Sequence, residues 1–537
     1  MRQALRDPEV VYRRRWFTLL VLCISLIVIT LDNTILNVAI PTLAHPTSQG
    51  GLGATASQLQ WIVDAYTLVF AGLLLTAGSL GDRFGRYRFL AIGLAIFGTG
   101  SALSAFASSA GMLIFTRALM GIGGACIMPS TLSIITNVFT DPAERGKAIG
   151  VWAGVSALGI GLGPITGGFL LQHFWWGSVF IVNVPIVLAG LALGFFLVPE
   201  SKDPGHAALD PVGAGLSILG LGWVLWAVIE APSRGWGSSG IVAALVLGLA
   251  VLAVFFTWEL HTPSPMLDMH FFEDPRFSAA SGAITLVFLA LFGTLFLMTQ
   301  YLQSVLGYST VKAGAVLLPQ AATLMIFAPL SNVWVQRWGN KRVVATGLLI
   351  VTSSLLLFLT YQPNSSVFHV IFVTVVMGLG MANILAPCTD SIMGSLPRAK
   401  AGVGSAVNDT TRQMGGAIGV AVFGSLMASH YTSSFVHSVS STVPGGLVAA
   451  TKNNVGSAIA FAKQAPQARP YAAEIVRVAN HSFVSGLHII GLVAAGVTLT
   501  AAIGVARFLP ARAREQEPNA ALEERTAVEA VPARAVA

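Results

Sequence analysis

Arg83-Phe84-Gly85-Arg86-Tyr87-Arg88 and, 254 residues further on, Arg337-Trp338-Gly339-Asn340-Lys341-Arg342 are the two stretches that decide how this chain is read. Each is basic, carries glycine at its third position and joins two long apolar runs. A weaker echo pairs Pro142-Ala143-Glu144-Arg145 with Pro397-Arg398-Ala399-Lys400, displaced by 255 residues. Two copies of one unit, inserted in the same orientation, explain both displacements. The flanking runs say what the unit is made of. Of the 537 residues 54% are hydrophobic and only 10% charged, against roughly a quarter charged in soluble domains. A soluble multidomain enzyme is therefore excluded.

A bilayer-crossing helix needs about 20 apolar residues. By that measure spans fall near 17–40, 59–80, 89–108, 111–136, 147–170, 178–198, 211–231, 239–258, 278–302, 313–335, 342–361, 367–394, 402–428 and 483–508. The reading is an all-α polytopic membrane protein with fourteen transmembrane helices, built as two six-helix halves plus an inserted pair. Its parts are a basic N-terminus (1–16), a first half (17–198), the inserted pair with its flanking cytoplasmic loops (199–276), a second half (277–510) containing a long external segment (429–480), and a tail (511–537). The tail is charged and rich in Ala and Pro with little to bury, so disorder is expected. The first span follows basic residues as a signal peptide would, but it is too long and contains Asp32, so it stays as a span.

Lys and Arg favour cytoplasmic loops. With both termini inside, 22 of the 30 basic residues fall in cytoplasmic segments, six fall outside, and Arg117 and Arg412 lie within spans. The formal charge of +7 is thus a topology signal and not a nucleic-acid footprint. Cys23, Cys126 and Cys388 are far apart in apolar runs, without metal or redox spacing, and the ten His residues show no metal spacing either. There is no phosphate loop of the G-x-x-x-x-G-K-[ST] type and no nucleophile elbow, so neither ATP-driven work nor catalysis is expected, and no cofactor. Parallel repeats with a site at their interface near the bilayer midplane are a transporter architecture, and without an ATPase its energy must come from an ion gradient or from the solute.

The first basic stretch belongs to a longer one, Gly78-Ser79-Leu80-Gly81-Asp82-Arg83-Phe84-Gly85-Arg86-Tyr87-Arg88, which resembles the G-x-L-x-D-R-x-G-R-x-R loop of the major facilitator superfamily. Asp82 can accept from a helix N-terminus or a basic residue and so latch the cytoplasmic face. In the second copy Gln336 replaces it, so the latch is expected on one side only. Leu31-Asp32-Asn33-Thr34-Ile35-Leu36-Asn37-Val38-Ala39-Ile40-Pro41, Gln60-Trp61-Ile62-Val63-Asp64-Ala65-Tyr66, and Arg117-Ala118-Leu119-Met120-Gly121-Ile122-Gly123 narrow the resemblance to the fourteen-span drug/proton antiporter branch. Gly159-Ile160-Gly161-Leu162-Gly163-Pro164-Ile165-Thr166-Gly167-Gly168 is similar to that branch's antiporter motif, which favours export over uptake. One departure is Gly177, which follows Trp176 where the family commonly has Arg. The resemblance implies a multidrug efflux permease of the cytoplasmic membrane, sufficient as a monomer, whose first-span acid and fourth-span Arg act together.

At 1.5 Å per residue, Asp32, Asp64 and Arg117 lie roughly 12, 8 and 9 Å from the outer ends of their spans. Intramembrane charges are costly and face interior cavities and partners. Asp32 with Arg117 is the expected proton-coupling pair, with Asp64 as a neighbouring acid. Asp409 and Arg412, three apart on one helical face, are expected to form a secondary, self-contained pair whose role is more structural than coupling. Asn33, Asn37, Trp61, Tyr66, Phe70, Gln300 and Tyr301 are candidates to line a mostly apolar pocket with a few polar anchors. Asp390 and Glu230 sit near span ends, where solvation is expected. Together these features imply proton-driven export of amphipathic, often cationic, small molecules by alternating access. An exporter of an endogenous metabolite, antibiotic or lipid precursor, a proton-coupled importer and a non-transporting receptor or scaffold stand as the alternatives.

Overall fold

The computed structural model describes residues 7–44, 51–54, 56–202, 210–263, 265–439, 443–452 and 454–510. The tail expected to be disordered, 511–537, lies outside the described residues. Among those described there is no strand. The helices are α1 (Pro8–Ala44), α2 (Ala56–Phe84), α3 (Arg86–Ala105), α4 (Ala110–Val138), α5 (Pro142–His173), α6 (Ser178–Ile181), α7 (Asn183–Leu197), α8 (Pro211–Arg234), α9 (Ser239–His261), α10 (Pro275–Gln300), α11 (Thr310–Trp338), α12 (Asn340–Leu356), α13 (Val367–Gly394), α14 (Ala401–Ser438), α15 (Gly445–Thr451), α16 (Val455–Gln464) and α17 (Ala472–Phe508). Thirteen helical segments, with α6 and α7 taken as one, are long and apolar enough to cross a bilayer. The less apolar α14, at 38 residues, packs along α10, α17, α2 and α4 and makes the fourteenth.

The two ends of the bundle start their helices differently. Helices α5, α8 and α10 begin at Asp-Pro pairs, in which Asp141, Asp210 or Asp274 accepts a first-turn amide and the proline takes a position needing no donor. From the other end α4, α9, α11 and α13 begin at Ser109, Ser238, Ser309 and Ser366, whose hydroxyls accept from the amide three residues on. The turns into α3 and α12 pivot on Gly85 (φ 118°) and Gly339 (φ 83°), left-handed conformations that favour glycine. Those are the glycines of the two repeated hexapeptides.

The repeat is visible in the packing. The main contacts within α1–α7 have their partners in the second half: α1 on α5 and α10 on α14, α2 on α4 and α11 on α13, α3 on α4 and α12 on α13, α3 on α7 and α12 on α17. The close crossings match atom for atom. A methyl added to Gly123 would meet the Gly93 carbonyl oxygen at 2.7 Å, and one added to Gly380 would meet that of Gly347 at 2.8 Å. Gly121 against the Tyr66 carbonyl and Gly378 against that of Gln320 repeat the pattern, each at 2.7 Å. Close approach of this kind is how helices associate where no hydrophobic effect drives them together.

The halves meet along two seams. Helix α5 lies on α11 along its whole length, from Gly146 at Asn332 through Gly150 at Pro329 and Gly154 at Met325 to Gly168 at Val311. On the other side α2 touches α14 where Gly78 faces Gly402 and Ala406, and α8 leans on both helices. Val224 and Val228 of α8 are buried with Ala421 of α14, so the inserted pair sits against one seam only.

Several helices are longer than their apolar runs. Helix α1 begins at Pro8, inside the basic N-terminus 1–16 read as preceding the first span, and α14 and α17 extend to Ser438 and from Ala472 into the segment read as the external loop 429–480. Adding residues to an existing helix is cheap once its nucleus has formed. Here Tyr431, Phe435, Ile475 and Val478 are also buried, with α15 and α16 completing the cap.

Candidate functional site

At the end of the bundle where α2 turns into α3, Asp82 is 3% exposed. Its carboxylate accepts from the amides of Gly402 (2.9 Å) and Val403 (3.1 Å), the free first-turn donors of α14, and from Arg86 Nε (2.7 Å). The Arg86 guanidinium also donates to the carbonyls of Arg398 and Ala399 (2.8 and 2.9 Å). An acid from one half thus satisfies a helix N-terminus of the other, where the dipole and open amides favour negative charge. Gly78 allows the approach, since its missing methyl would lie 2.6 Å from the Gly402 carbonyl. Gly85 is closed over by the Glu200 carboxylate, and Arg83 is half-buried with its guanidinium 5.6 Å from the Phe84 ring. Gln336, the counterpart of Asp82, is exposed. The second seam is held instead by Arg145 and Asp390, 2.9 Å apart. Each half therefore offers one acid to the other, and the structure is closed at this latch end.

Deep in the first half, Asp32 and Arg117 are 0% and 1% exposed and form an ion pair through Oδ2 and NH1. Asn183 donates to Asp32 Oδ1 (3.0 Å) and to the Ser101 hydroxyl (3.1 Å). Arg117 Nε donates to the Ile62 carbonyl (3.0 Å), and the guanidinium lies 4.5 Å from the centre of the Tyr66 ring. Tyr66 stacks on Phe70 at 5.6 Å; Gly121 and Gly124 leave room for both. One cluster thereby ties α1, α2, α4 and α7 together. Truncating either partner of such a buried pair costs about 3–5 kcal/mol, because the survivor is left uncompensated.

Asp64 stands apart from this pair. It is half-buried and follows Ile62 by two residues, about 200° around the helix, so its carboxyl turns away from Arg117. It takes a hydrogen bond from Gln60 and lies within Coulombic reach of Glu230 on α8. Glu230, expected at a solvated span end, is 5% exposed and bridged to Arg234 at 2.7 Å.

The antiporter-motif glycines divide between two neighbours. Gly159, Gly163 and Gly167, four residues apart, face Thr30, Thr34 and Ile35 of α1, with Thr30 Cβ and Thr34 Cβ at 2.8 and 2.7 Å from where the methyls of the first two would lie. Pro164 and Gly168 face Gly314 and Val311 of α11. Helix α5 is thus pressed between the turn of α1 that carries Asp32 and the second half.

Of the proposed pocket residues, Tyr66 and Phe70 adjoin the ion pair, Asn33 is exposed, and Trp61 and Gln300 are half-buried. The Asn37 side chain lies outside the described residues. Tyr301 is 0% exposed and opens a wide π-helical turn, Tyr301–Val305. Its hydroxyl donates to the Gln362 carbonyl (2.5 Å) and its ring packs on Tyr361. It lines the packed interior of the second half and not an opening. Asp409 and Arg412 are buried but not self-contained: no ion pair within 4 Å joins them among the described residues. The reason is that Arg412 reaches away, to the Thr389 hydroxyl (2.7 Å) and to two aromatic rings.

Sequence reasoning passed over Asn183 and took Asp390 and Glu230 for solvated span ends. Asn183 lay in plain view in Val182-Asn183-Val184-Pro185, a polar residue in an apolar run, and Arg145 in the repeated Pro142–Arg145 segment was the pointer to a partner for Asp390. At Gly177 an added methyl would collide with the Ala105 carbonyl, so the loop is built around a bare backbone there.

Residues 22–420 match the model of the Major Facilitator Superfamily. The chain is 39% identical over 499 residues to the multidrug efflux pump LfrA of Mycolicibacterium smegmatis, covering 92% of this chain and 96% of that one. It is 33% identical to the methyl viologen resistance protein SmvA of Salmonella typhimurium (92% and 98% covered) and 32% identical to the tetracenomycin C resistance and export protein of Streptomyces glaucescens (94% and 93%). Two solved structures, the human organic anion transporter MFSD10 and an inward-facing bacterial homologue of the human lysosomal transporter Spinster, share its fold. Each has a TM-score of 0.55, at 15% and 17% identity, over 91% and 94% of this chain and 99% of theirs. With the fold, the latch, the repeat and these likenesses in agreement, the chain belongs to the Major Facilitator Superfamily.

Proposed function

We propose that this chain exports amphipathic, cationic drugs and related small molecules across the cytoplasmic membrane in exchange for protons, by alternating access. The observation that carries the reading is the Asp32–Arg117 pair, a fully buried carboxylate whose helix is pressed by α5. Protonating Asp32 releases Arg117 and loosens α1 against Gly159 and Gly163. Helix α5 then shifts along α11, and the strain reaches the latch. One inward proton supplies about 1.4 kcal/mol per pH unit, with about 2.3 kcal/mol per 100 mV in addition when the cargo is uncharged; for a cargo with one positive charge the potential cancels, and two pH units hold roughly a hundredfold solute gradient, so neither cofactor nor catalytic step is required. The relatives named for multidrug efflux and methyl viologen resistance support a broad cationic cargo. The relative named for tetracenomycin C export favours a second reading, a single particular compound carried by the same mechanism. The excess of Lys and Arg at the latch end supports placing that end and both termini in the cytoplasm, with a monomer as the working unit.

The test is efflux of a fluorescent lipophilic cation from cells or inside-out vesicles, with and without a protonophore, beside Asp32→Asn and Arg117→Ala at matched abundance. Extrusion that stops with the protonophore and with Asp32→Asn supports the reading. Extrusion that survives both refutes proton coupling through Asp32, and absence of any solute-dependent proton flux across a broad panel refutes export itself.

A further inference from the structure

A second charged cluster lies nearer the latch, between the halves. Arg412 of α14 has its guanidinium carbon 5.1 Å from the Trp152 ring centre and 5.3 Å from that of Phe288. Trp152 is on α5, so the stack crosses from one half to the other. Phe288 stacks in turn on Phe292 at 5.5 Å, and the Trp152 indole is fixed by donation to the Thr131 hydroxyl (3.2 Å). A guanidinium has five N–H donors. Here the hydrogen bond to Thr389 is the one it makes through NH2, and Nε has no partner. Asp409, 1% exposed, takes a bond from Asn408 on Oδ1 (3.3 Å), while Oδ2 lies beside the Ser405 hydroxyl without a hydrogen bond of ordinary geometry. A cation on two aromatic faces with an acid close by is how organic cations are recognised. The cation in place is one of the protein's own, under-satisfied and held largely by ring faces.

We infer that Trp152, Phe288 and Asp409 form a subsite for a lipophilic organic cation, and that Arg412 is its built-in competitor. The inference rests on the export of cations proposed above and gives that activity a place and a direction. When the halves part at the latch end, Trp152 draws back with α5, and a gap opens between its ring and that of Phe288, with the Asp409 carboxylate at its side. A cargo cation settles there. As the latch closes, Arg412 returns to the same faces, and two like charges cannot share them, so the cargo is driven away from the latch.

The experiment uses the purified full-length protein and tetraphenylphosphonium, with binding followed by equilibrium dialysis and transport in proteoliposomes under an imposed pH gradient. Arg412→Gln removes the competitor and should bind tetraphenylphosphonium about tenfold more tightly, the size of one good cation–π contact, while exporting it more slowly. Adding Trp152→Leu should abolish the gain. If Arg412→Gln does not fold, Trp152→Phe should keep wild-type affinity and Trp152→Leu lose about tenfold. Unchanged or weaker binding by a folded Arg412→Gln, or equal affinity of the two Trp152 variants, overturns the subsite while wild-type transport leaves the export reading standing. A wild type that neither binds nor moves the probe overturns both.

Discussion

Replacing Gly78 by alanine should open the latch. The added methyl would lie 2.6 Å from the Gly402 carbonyl oxygen and 2.7 Å from Ala406 Cβ, against about 3.5 Å for ordinary contact. Both obstacles are on α14, one of them backbone, so α2 and α14 must part by roughly 1 Å. Asp82, one turn further along α2, now accepts from Gly402 and Val403 at 2.9 and 3.1 Å, and that displacement takes both bonds past the limit of about 3.5 Å. Hydrogen bonds to a charged acceptor contribute about 1.5–3 kcal/mol each. At the lower figure the closed form loses about 3 kcal/mol, a shift on the order of a hundredfold toward open forms. Ser405, fully buried on α14 beside these contacts, serves as reporter. In purified Ser405→Cys protein, modification by a water-soluble maleimide should quicken by that factor when Gly78→Ala is added. The native Cys23, Cys126 and Cys388 are buried and contribute little background. Gly222→Ala, whose methyl meets nothing within 4 Å, should leave the rate alone. Labelling of Gly78→Ala at the parental rate would refute the argument, since the seam would then have absorbed the methyl without losing the Asp82 bonds.

Asp32→Asn should lower thermal stability in detergent by about 3–5 kcal/mol, because Arg117 stays buried without its counter-charge. Asp32→Asn with Arg117→Met should recover most of that stability and remain inactive, and recovered efflux would remove Asp32 from proton coupling. Gly177→Arg, which restores the residue common in the family, should reduce folded yield, because its Cβ strikes the Ala105 carbonyl; wild-type yield by size-exclusion chromatography would contradict this. Arg145→Asp and Asp390→Arg should each speed labelling at Ser405→Cys, and the double exchange should restore the slow rate; a double variant as fast as the singles would deny the pair a latching role. Burial pushes the Glu200 carboxyl above its ordinary range, opposed by its bond from the Tyr87 amide and by Arg88. The folded chain then holds that proton more tightly than the unfolded one, so stability declines as pH rises from the ordinary Glu range to the raised value. Glu200→Gln should flatten that part of a melting-temperature profile, and an unchanged slope would count against the burial argument.

The fold was legible because its determinants are local: apolar runs, Asp-Pro and Ser starts, and a glycine at each tight turn. The Asp32–Arg117 pair was legible for the same reason, since opposite charges at similar depth in apolar spans have few other partners. What the sequence hid depended on rotation about helix axes. Asp64 shares a depth with its expected company, yet two residues of phase beyond Ile62 turn it toward α8 and Glu230. Arg412 shares a face with Asp409, yet its long side chain finds Trp152 across the seam before it finds its neighbour. Asp390 looked like a solvated end because nothing in its own segment reveals that α5 brings Arg145 to it.

The two halves agree closely where backbones touch and disagree where charge resides. Gly93 and Gly123 have Gly347 and Gly380 as counterparts, while the places of Asp32, Arg117 and Tyr66 are taken in the second half by Val287, Thr374 and Gln320. Thr374 and Gln320 there border a cavity of about 10 Å³, room for one water molecule. A glycine with another helix's carbonyl within 3 Å admits no larger residue, whereas a buried ion pair can be exchanged as a whole for neutral groups of similar size at modest cost. After duplication, then, the steric frame would have been held fixed in both copies while ionisable groups were free to appear or vanish in one. On the proton-coupled reading proposed above, the number of protons moved per cycle would be set by groups that can be edited apart from the architecture that moves them.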